Sequence, residues 1–206
     1  MPDRDKSGRR GYHHGNLRAA LIAATRALIA EKGVAGVTIA DAARRAGVSP
    51  AAPYRHFQNR EELLAETARV GFERFAERLA AAWNNGHPTA LPAFEAVGRA
   101  YLSFAAEEPE YFSAMFDPSL ADSDGTLGHE TFEILRNACS ALTASLPEER
   151  RAPPHMMALH IWALSHGVAA LFAVPGGARR GPIPAEELLE SGVGIYLRGI
   201  GLLSDP

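Results

Sequence analysis

The chain has 206 residues, 47% hydrophobic and 22% charged, with a formal net charge of −3. That balance suits a soluble globular protein of one large domain, or a small one plus a larger one, and no run of eighteen apolar residues predicts a membrane span. A single cysteine, Cys139, excludes an intramolecular disulfide framework and fits a reducing cytosol, while residues 1–14 are too polar for a signal peptide.

The charge is unevenly placed. Residues 1–60 hold eleven Lys or Arg against four Asp or Glu, a net of +7, whereas the remainder holds ten against twenty, a net of −10. A basic first quarter is what DNA phosphates select, and an acidic remainder keeps the other faces off the duplex. Residues 1–14, with Arg4, Lys6, Arg9 and Arg10, read as a flexible basic arm. Arg18, Arg26, Arg44, Arg45, Arg55 and Arg60 fall inside periodic segments instead, so a tail alone does not account for the charge.

Apolar residues recur at helical spacing throughout and predict an all-α fold of about nine helices. The first follows Asn16 as N-cap, places Leu17, Leu21, Ala24 and Leu28 on one face, and stops at Gly33. The second runs from Thr38, its cap, to Ala46. Ser49 caps a third, with Pro50 in its first turn. Asn59 and Glu62 form a capping-box-like start for a long helix over 59–84, which Asn85-Gly86-His87-Pro88 ends. Further helices are expected over 91–107, 109–116, 127–145, 153–174 and 184–203, separated by Pro- and Gly-containing segments.

In residues 38–49, Ile39, Ala42, Ala43, Ala46 and Val48 make one small apolar face, and Gly47 permits a tight turn. Two short helices crossing closely at such a turn are the requirement of a helix-turn-helix, expected here over 38–57, whose second helix enters the major groove. Arg44, Arg45 and Asp41 fall on its outer side. Small residues after Ser49 allow close approach to base edges. Tyr54 and His56 are placed to donate to phosphates, and Arg60 adds charge at the positive end of the long helix. Phe57 reads as core.

The pattern Thr38…Ala42-Ala43…Ala46-Gly47-Val48-Ser49…Tyr54-Arg55-His56-Phe57…Arg60-Glu61…Leu64 resembles the TetR/AcrR family of transcriptional regulators over about residues 15–75. The resemblance implies phosphate contacts from Thr38, Tyr54, His56 and Arg60, and major-groove entry of residues 49–56. Together with Arg44, Ser49, Pro50, Ala52 and Arg55, these make up the expected DNA-binding set, with Pro50, Ala52 and Arg55 setting the operator preference. Ala51 and Pro53 depart from the family pattern, and Pro53 removes a backbone donor inside the recognition segment. Trp162-Ala163-Leu164-Ser165-His166-Gly167 resembles a subgroup with a Trp…His-Gly signature in its sensor domain. Residues 76–206 are accordingly expected to be a ligand-binding and dimerisation domain.

Within that domain the segment 153–174 carries two apolar stripes and 184–203 carries four interior glycines, Gly192, Gly194, Gly199 and Gly201. Burial on two sides and close helix approach, or fraying of the last helix, explain these features. Both helices are expected to form a four-helix homodimer interface, giving a palindromic operator for the double-stranded DNA partner. Tyr101, Phe104, Phe112, Met115, Trp162 and His166 are the expected site for a small apolar or aromatic effector. Trp162 and His166, four apart, share a helix face. Each aromatic taken singly reads first as plain core, and only together do they suggest a cavity; His166 serves equally well as the partner of a core hydrogen bond. A DNA-binding protein with a filled sensor core and no effector is the alternative. Catalysis is not expected: Ser165 and His166 are adjacent and diverge on a helix, and no nucleophile elbow or phosphate loop is present. No cofactor or metal is expected either, since His155, His160 and His166 lack ligand spacing. The expected location is the cytoplasm, at the nucleoid when DNA-bound.

Overall fold

The computed structural model describes residues 17–120, 128–174 and 182–204; the basic arm at 1–14 and the Asn16 cap lie outside them. Among the described residues there are eight α-helices and no strand. Helix α1 (Leu17–Lys32) buries Leu21, Ile22, Leu28 and Ile29. Helix α2 (Ile39–Arg45) begins where the Thr38 hydroxyl accepts the Asp41 N–H at 3.1 Å. It ends in a reversal at Gly47, whose φ of 70° a side chain would strain. Helix α3 (Arg60–Trp83) starts on Asn59, which accepts the Glu62 N–H at 2.8 Å. The Glu62 carboxylate answers by accepting the Gln58 N–H at 2.5 Å, one residue earlier than a capping box would have it.

The expected helix at 49–57 is a single 3-10 turn, Pro53–Arg55, flanked by other turns. Pro53 has no N–H to continue a ladder, and its buried ring fixes the turn against the core. The remaining helices are α4 (Ala90–Glu107), α5 (Pro109–Met115), α6 (His129–Thr143), α7 (Pro154–Val168) and α8 (Ala185–Gly199). Helix α7 loosens into a π-helical turn over Ala169–Ala173, and α8 stops at Gly199 rather than Leu203, where Gly201 at φ 77° turns the chain so that the Leu202 N–H donates to the Leu197 carbonyl at 2.9 Å, a capped end and not a frayed one. Of its glycines, Gly192 has the packing reason: a Cβ there would meet Leu164 at 3.1 Å, so α7 and α8 touch through it.

Two bodies share α3. Its first half contributes Leu63, Leu64 and Ala68 to a core with Leu21, Leu28, Val37, Ile39, Ala42 and Phe57. Its second half contributes Phe75 and Leu79 to a core with Tyr101, Phe104, Phe112, Val168 and Leu189. A further cluster under α6–α8 gathers Phe94, Leu135, Cys139, Met157, Ile161 and Leu197. Each fully buried Leu, Met or Phe contributes about 1.5–3 kcal/mol. Burial pushes the Cys139 thiol up to about 12, leaving it a small inert core group. Residues Glu148–Ala173 are long and apolar enough to cross a membrane by length and composition; a third of that apolar stretch is buried, with Met157, Ala158 and Ile161 in the cluster with α6 and α8.

Candidate DNA interface and effector cavity

Most of the head's expected contact set is open to solvent. Ser49, Pro50, Tyr54, Arg55 and His56 are exposed, Ala52 is half-buried, and Tyr54 is the most open large hydrophobic of the head at 61%. Phe57 is buried, which fixes the turn so that Tyr54 to His56 face outward. Backbone bonds from His56 N–H to Pro53 O at 2.8 Å and from Ala52 N–H to Ser49 O at 3.0 Å hold this short segment without a helical ladder. Thr38 is exposed with its hydroxyl engaged as the α2 cap. Arg44 pairs with Asp41, which also takes Lys32; the Lys32 ammonium, with the Thr38 hydroxyl, holds the Asp41 carboxyl at about 2.

Arg60 has an internal task that its sequence position does not reveal. Its Nε and Nη2 donate to the carbonyls of Val37 and Val34, both at 2.8 Å, and tie the start of α3 to the α1–α2 connection. Its Nη1 lies only 3.4 Å from Glu61 and retains donor capacity for an anion.

In the second body a cavity of about 630 Å³ lies among α3, α4, α5, α6, α7 and α8. A cavity of this size counts against the alternative of a filled sensor core without an effector. Of the six residues expected to meet an effector, Tyr101, Met115 and Trp162 line it. Phe104 is instead packed on Phe75 at 4.8 Å. Phe112 and His166 stand one layer back, stacked at 5.5 Å and 22°. His166 Nδ1 is hydrogen-bonded to Tyr101 Oη at 3.1 Å, with Tyr101 donating when the imidazole proton sits on Nε2. Phe116 packs edge-on to the same imidazole at 4.5 Å. Burial lowers the His166 pKa and so favours the neutral ring. Burial likewise raises the pKa of the Tyr101 hydroxyl. His166 thus orients a wall residue and does not itself reach the cavity.

Lining residues that sequence reasoning did not single out include Phe72, Phe75, Leu79, Leu135 and Thr131. Thr131 is 9% exposed, and its Oγ1 has no hydrogen-bond partner among the described residues. Nothing in a lone helical threonine signals that in sequence.

The cavity and the head are mechanically joined by α5. At one end Met115 and Phe116 form cavity wall, and Met115 is so close to α3 that a Cβ on Gly71 would lie 2.9 Å from its Cγ and Sδ. At the other end Arg26 of α1 donates to Glu108 at 2.6 Å and to Glu110 at 3.2 Å, and lies 4.2 Å over the Tyr111 ring. Arg74 of α3 takes the second Glu108 oxygen at 2.7 Å.

A short head with an N-capped α2, a tight turn and an exposed reading segment, joined by one long helix to a hollow helical body, defines a class of ligand-responsive DNA-binding regulators. The chain belongs to the tetR family of bacterial regulatory proteins, a family of transcriptional regulators and not of enzymes. The family's N-terminal model matches residues 21–67, and the model of the tetracyclin repressor-like C-terminal domain matches residues 94–196. Among solved structures it is similar to a protein of unknown function from Rhodococcus sp. RHA1, at 29% identity over 92% of this chain and 98% of that one, with a TM-score of 0.77. It shares its fold with the TetR family transcriptional regulator PfmR from Thermus thermophilus, at 21% identity over 86% and 97% of the two chains, TM-score 0.66. It also shares it with AibR in complex with isovaleryl coenzyme A and operator DNA, at 17% identity over 87% and 97%, TM-score 0.67. No curated protein matches it in sequence.

Proposed function

We propose that the chain is a transcriptional repressor that binds a palindromic operator as a homodimer and is released when a small apolar or aromatic molecule fills the cavity. It acts in the cytoplasm, at the nucleoid when bound. The carrying observation is the 630 Å³ cavity, whose wall includes Met115 and Phe116 of the helix that also grips Arg26 of the head. That volume falls in the usual range for small-molecule sites. AibR, of the same fold, was captured with both an acyl-coenzyme A and operator DNA, which supports one body serving both partners.

In the head, Tyr54, His56, Thr38 and the Nη1 of Arg60 contact phosphates, with Arg44 alongside, and Ser49, Pro50, Ala52 and Arg55 approach base edges. Homodimerisation uses α7 and α8. Met156, His160, Ala163, Ala170 and Leu171 form an exposed stripe on α7 and its π turn, and Ile195 and Gly199 are exposed on α8. A symmetric pair of such faces buries this apolar surface and spaces two heads for adjacent major grooves, about 34–36 Å apart. An effector that displaces Met115 and Phe116 moves α5 against α1 and α3, and so changes that spacing.

The test is a titration of hydrophobic probes against the wild type and Trp162→Ala, following tryptophan fluorescence and operator release together. Tighter binding to the wild type, with release in step, is expected. Unchanged probe affinity in a folded Trp162→Ala variant overturns the site.

A further inference from the structure

We infer that the effector is an elongated, mostly hydrocarbon molecule whose buried part is uncharged, lying along α4 and α8, and that only one spanning the whole cavity releases DNA. This rests on the cavity being the effector site, as proposed above. The core of the second body falls into two clusters. One holds Phe75, Tyr101 and Leu189 and reaches α5 through Phe112 and Met115. The other holds Phe94, Leu135, Ile161 and Leu197, with no buried member on α3 or α5. The cavity wall draws on both, so the void lies between them. On α4 the lining residues Tyr101, Val97 and Phe94 pass from the first cluster to the second, and on α8 Leu189, Val193 and Leu197 do the same. Each run covers about 11–12 Å at the helical rise per residue, so the cavity extends along the helices from one cluster to the other. Glu95, Arg99, His129, His155, Glu186 and Glu190 line it only from exposed positions. Charge therefore stands at the rim, and a charged group carried into the interior would lose its hydration without gaining a partner.

The span decides what binding does. A molecule that fills part of the run has room to shift along it and leaves Met115 and Phe116 in place. One that fills the run is braced on Phe94 and Leu197, so the accommodation falls on the α5 end. Met115 has no slack there: it lies against α3 so closely that a Cβ on Gly71 would stand 2.9 Å from its Cγ and Sδ. It yields only when α5 moves relative to α3, and a close-packed contact of this kind passes the displacement on.

The experiment uses 1-butanol, 1-hexanol, 1-octanol and 1-decanol, with 1-adamantanol as a compact probe of the same carbon count as 1-decanol. Binding to the full chain is followed by tryptophan fluorescence and thermal shift, and release by the anisotropy of labelled operator. Affinity should rise about fourfold per methylene as far as 1-decanol, the gain that burial of a methylene gives. At saturation 1-decanol should weaken operator binding at least about fivefold, and 1-butanol and 1-hexanol should not weaken it. 1-Adamantanol should bind less tightly than 1-decanol and leave the operator bound. Val193 is half-buried midway along the α8 run and packs against both clusters. In Val193→Phe, 1-decanol should lose at least about tenfold in affinity while 1-hexanol keeps its own. The wild-type series decides the matter should that variant fail to fold. A rise that stops by 1-hexanol, or 1-decanol affinity unchanged in folded Val193→Phe, overturns the elongated reading and leaves the cavity as effector site. Release by 1-adamantanol equal to that by 1-decanol, or tight 1-decanol binding without release, overturns the bracing. If no alcohol binds, the cavity reading itself falls and takes this inference with it.

Discussion

Arg26 ties α5 to the head by charge, and Arg26→Met isolates that charge while keeping an apolar stem. The guanidinium makes a 2.6 Å bond to Glu108, with side-chain exposures of 31% and 13%, and a longer one to Glu110. A charge-assisted hydrogen bond in such a setting contributes about 1.5–3 kcal/mol, and the stacking on Tyr111 about 0.5–1 kcal/mol. Two features reduce the loss. Glu108 keeps Arg74 at 2.7 Å, so no buried carboxylate is orphaned, and the unpartnered Nε of Arg26 disappears with the substitution. A net loss of about 2 kcal/mol is expected in urea unfolding. The functional consequence is separate. In the wild type, effector should weaken operator binding by about 5–150-fold, the span of ordinary coupling energies of about 1–3 kcal/mol. In Arg26→Met, α5 loses its charged tie to α1 while Ala114 still packs in the head core, so effector affinity should persist while that factor falls. Full coupling in a variant that has lost about 2 kcal/mol would refute the α5–Arg26 route.

Other outcomes follow from the same geometry. Tyr54→Phe should weaken binding to all DNA sequences alike, and its log–log salt slope should stay near the wild type's because a hydroxyl carries no charge. Arg60→Ala should lower that slope by about 0.9. It should also destabilise the head, because the Val34 and Val37 carbonyls lose their donor. A steeper or unchanged slope in Arg60→Ala would remove it from the phosphate set. Thr131→Val keeps the shape and deletes an unsatisfied hydroxyl, so the effector-free chain should gain about 1 kcal/mol in urea unfolding; a loss would mean that the hydroxyl is satisfied. Burial holds the His166 pKa below its ordinary 6.5, so once the pH falls below that value the unfolded chain binds more protons than the folded one. Its contribution is full at neutral pH and is lost on acidification. Tm should fall from about pH 7.5 to about 5.5, and His166→Gln should flatten that fall.

The helices are legible where periodicity and caps agree. Thr38 and Asn59 cap as their side chains and positions dictate, and the apolar stripe of α3 fixes which residues enter which core. The segment 49–57 reads as a helix in sequence because Ser49-Pro50 is a good start signal, whereas Pro53, four residues after Ser49, forbids the ladder that would continue it. For the cavity, the four-residue spacing of Trp162 and His166 sets their common direction on α7 but not their depth. Only the placement of α5 decides that Trp162 meets the cavity while Phe112 and Phe116 enclose His166. Arg26 and Glu108 lie 82 residues apart, and Arg60 reaches back 26 residues to Val34. No local pattern encodes such pairs, since each depends on where whole helices dock.

The central claim is that two copies of this head read one DNA site together. Selection of duplexes from a random pool by the purified full-length chain, followed by sequencing of what is retained, tests it most directly. The account predicts enrichment of an inverted repeat with half-site centres one helical turn, about 10–10.5 base pairs, or a multiple of it apart. Enrichment of a single unpaired half-site, or of no sequence at all at moderate salt, would contradict it.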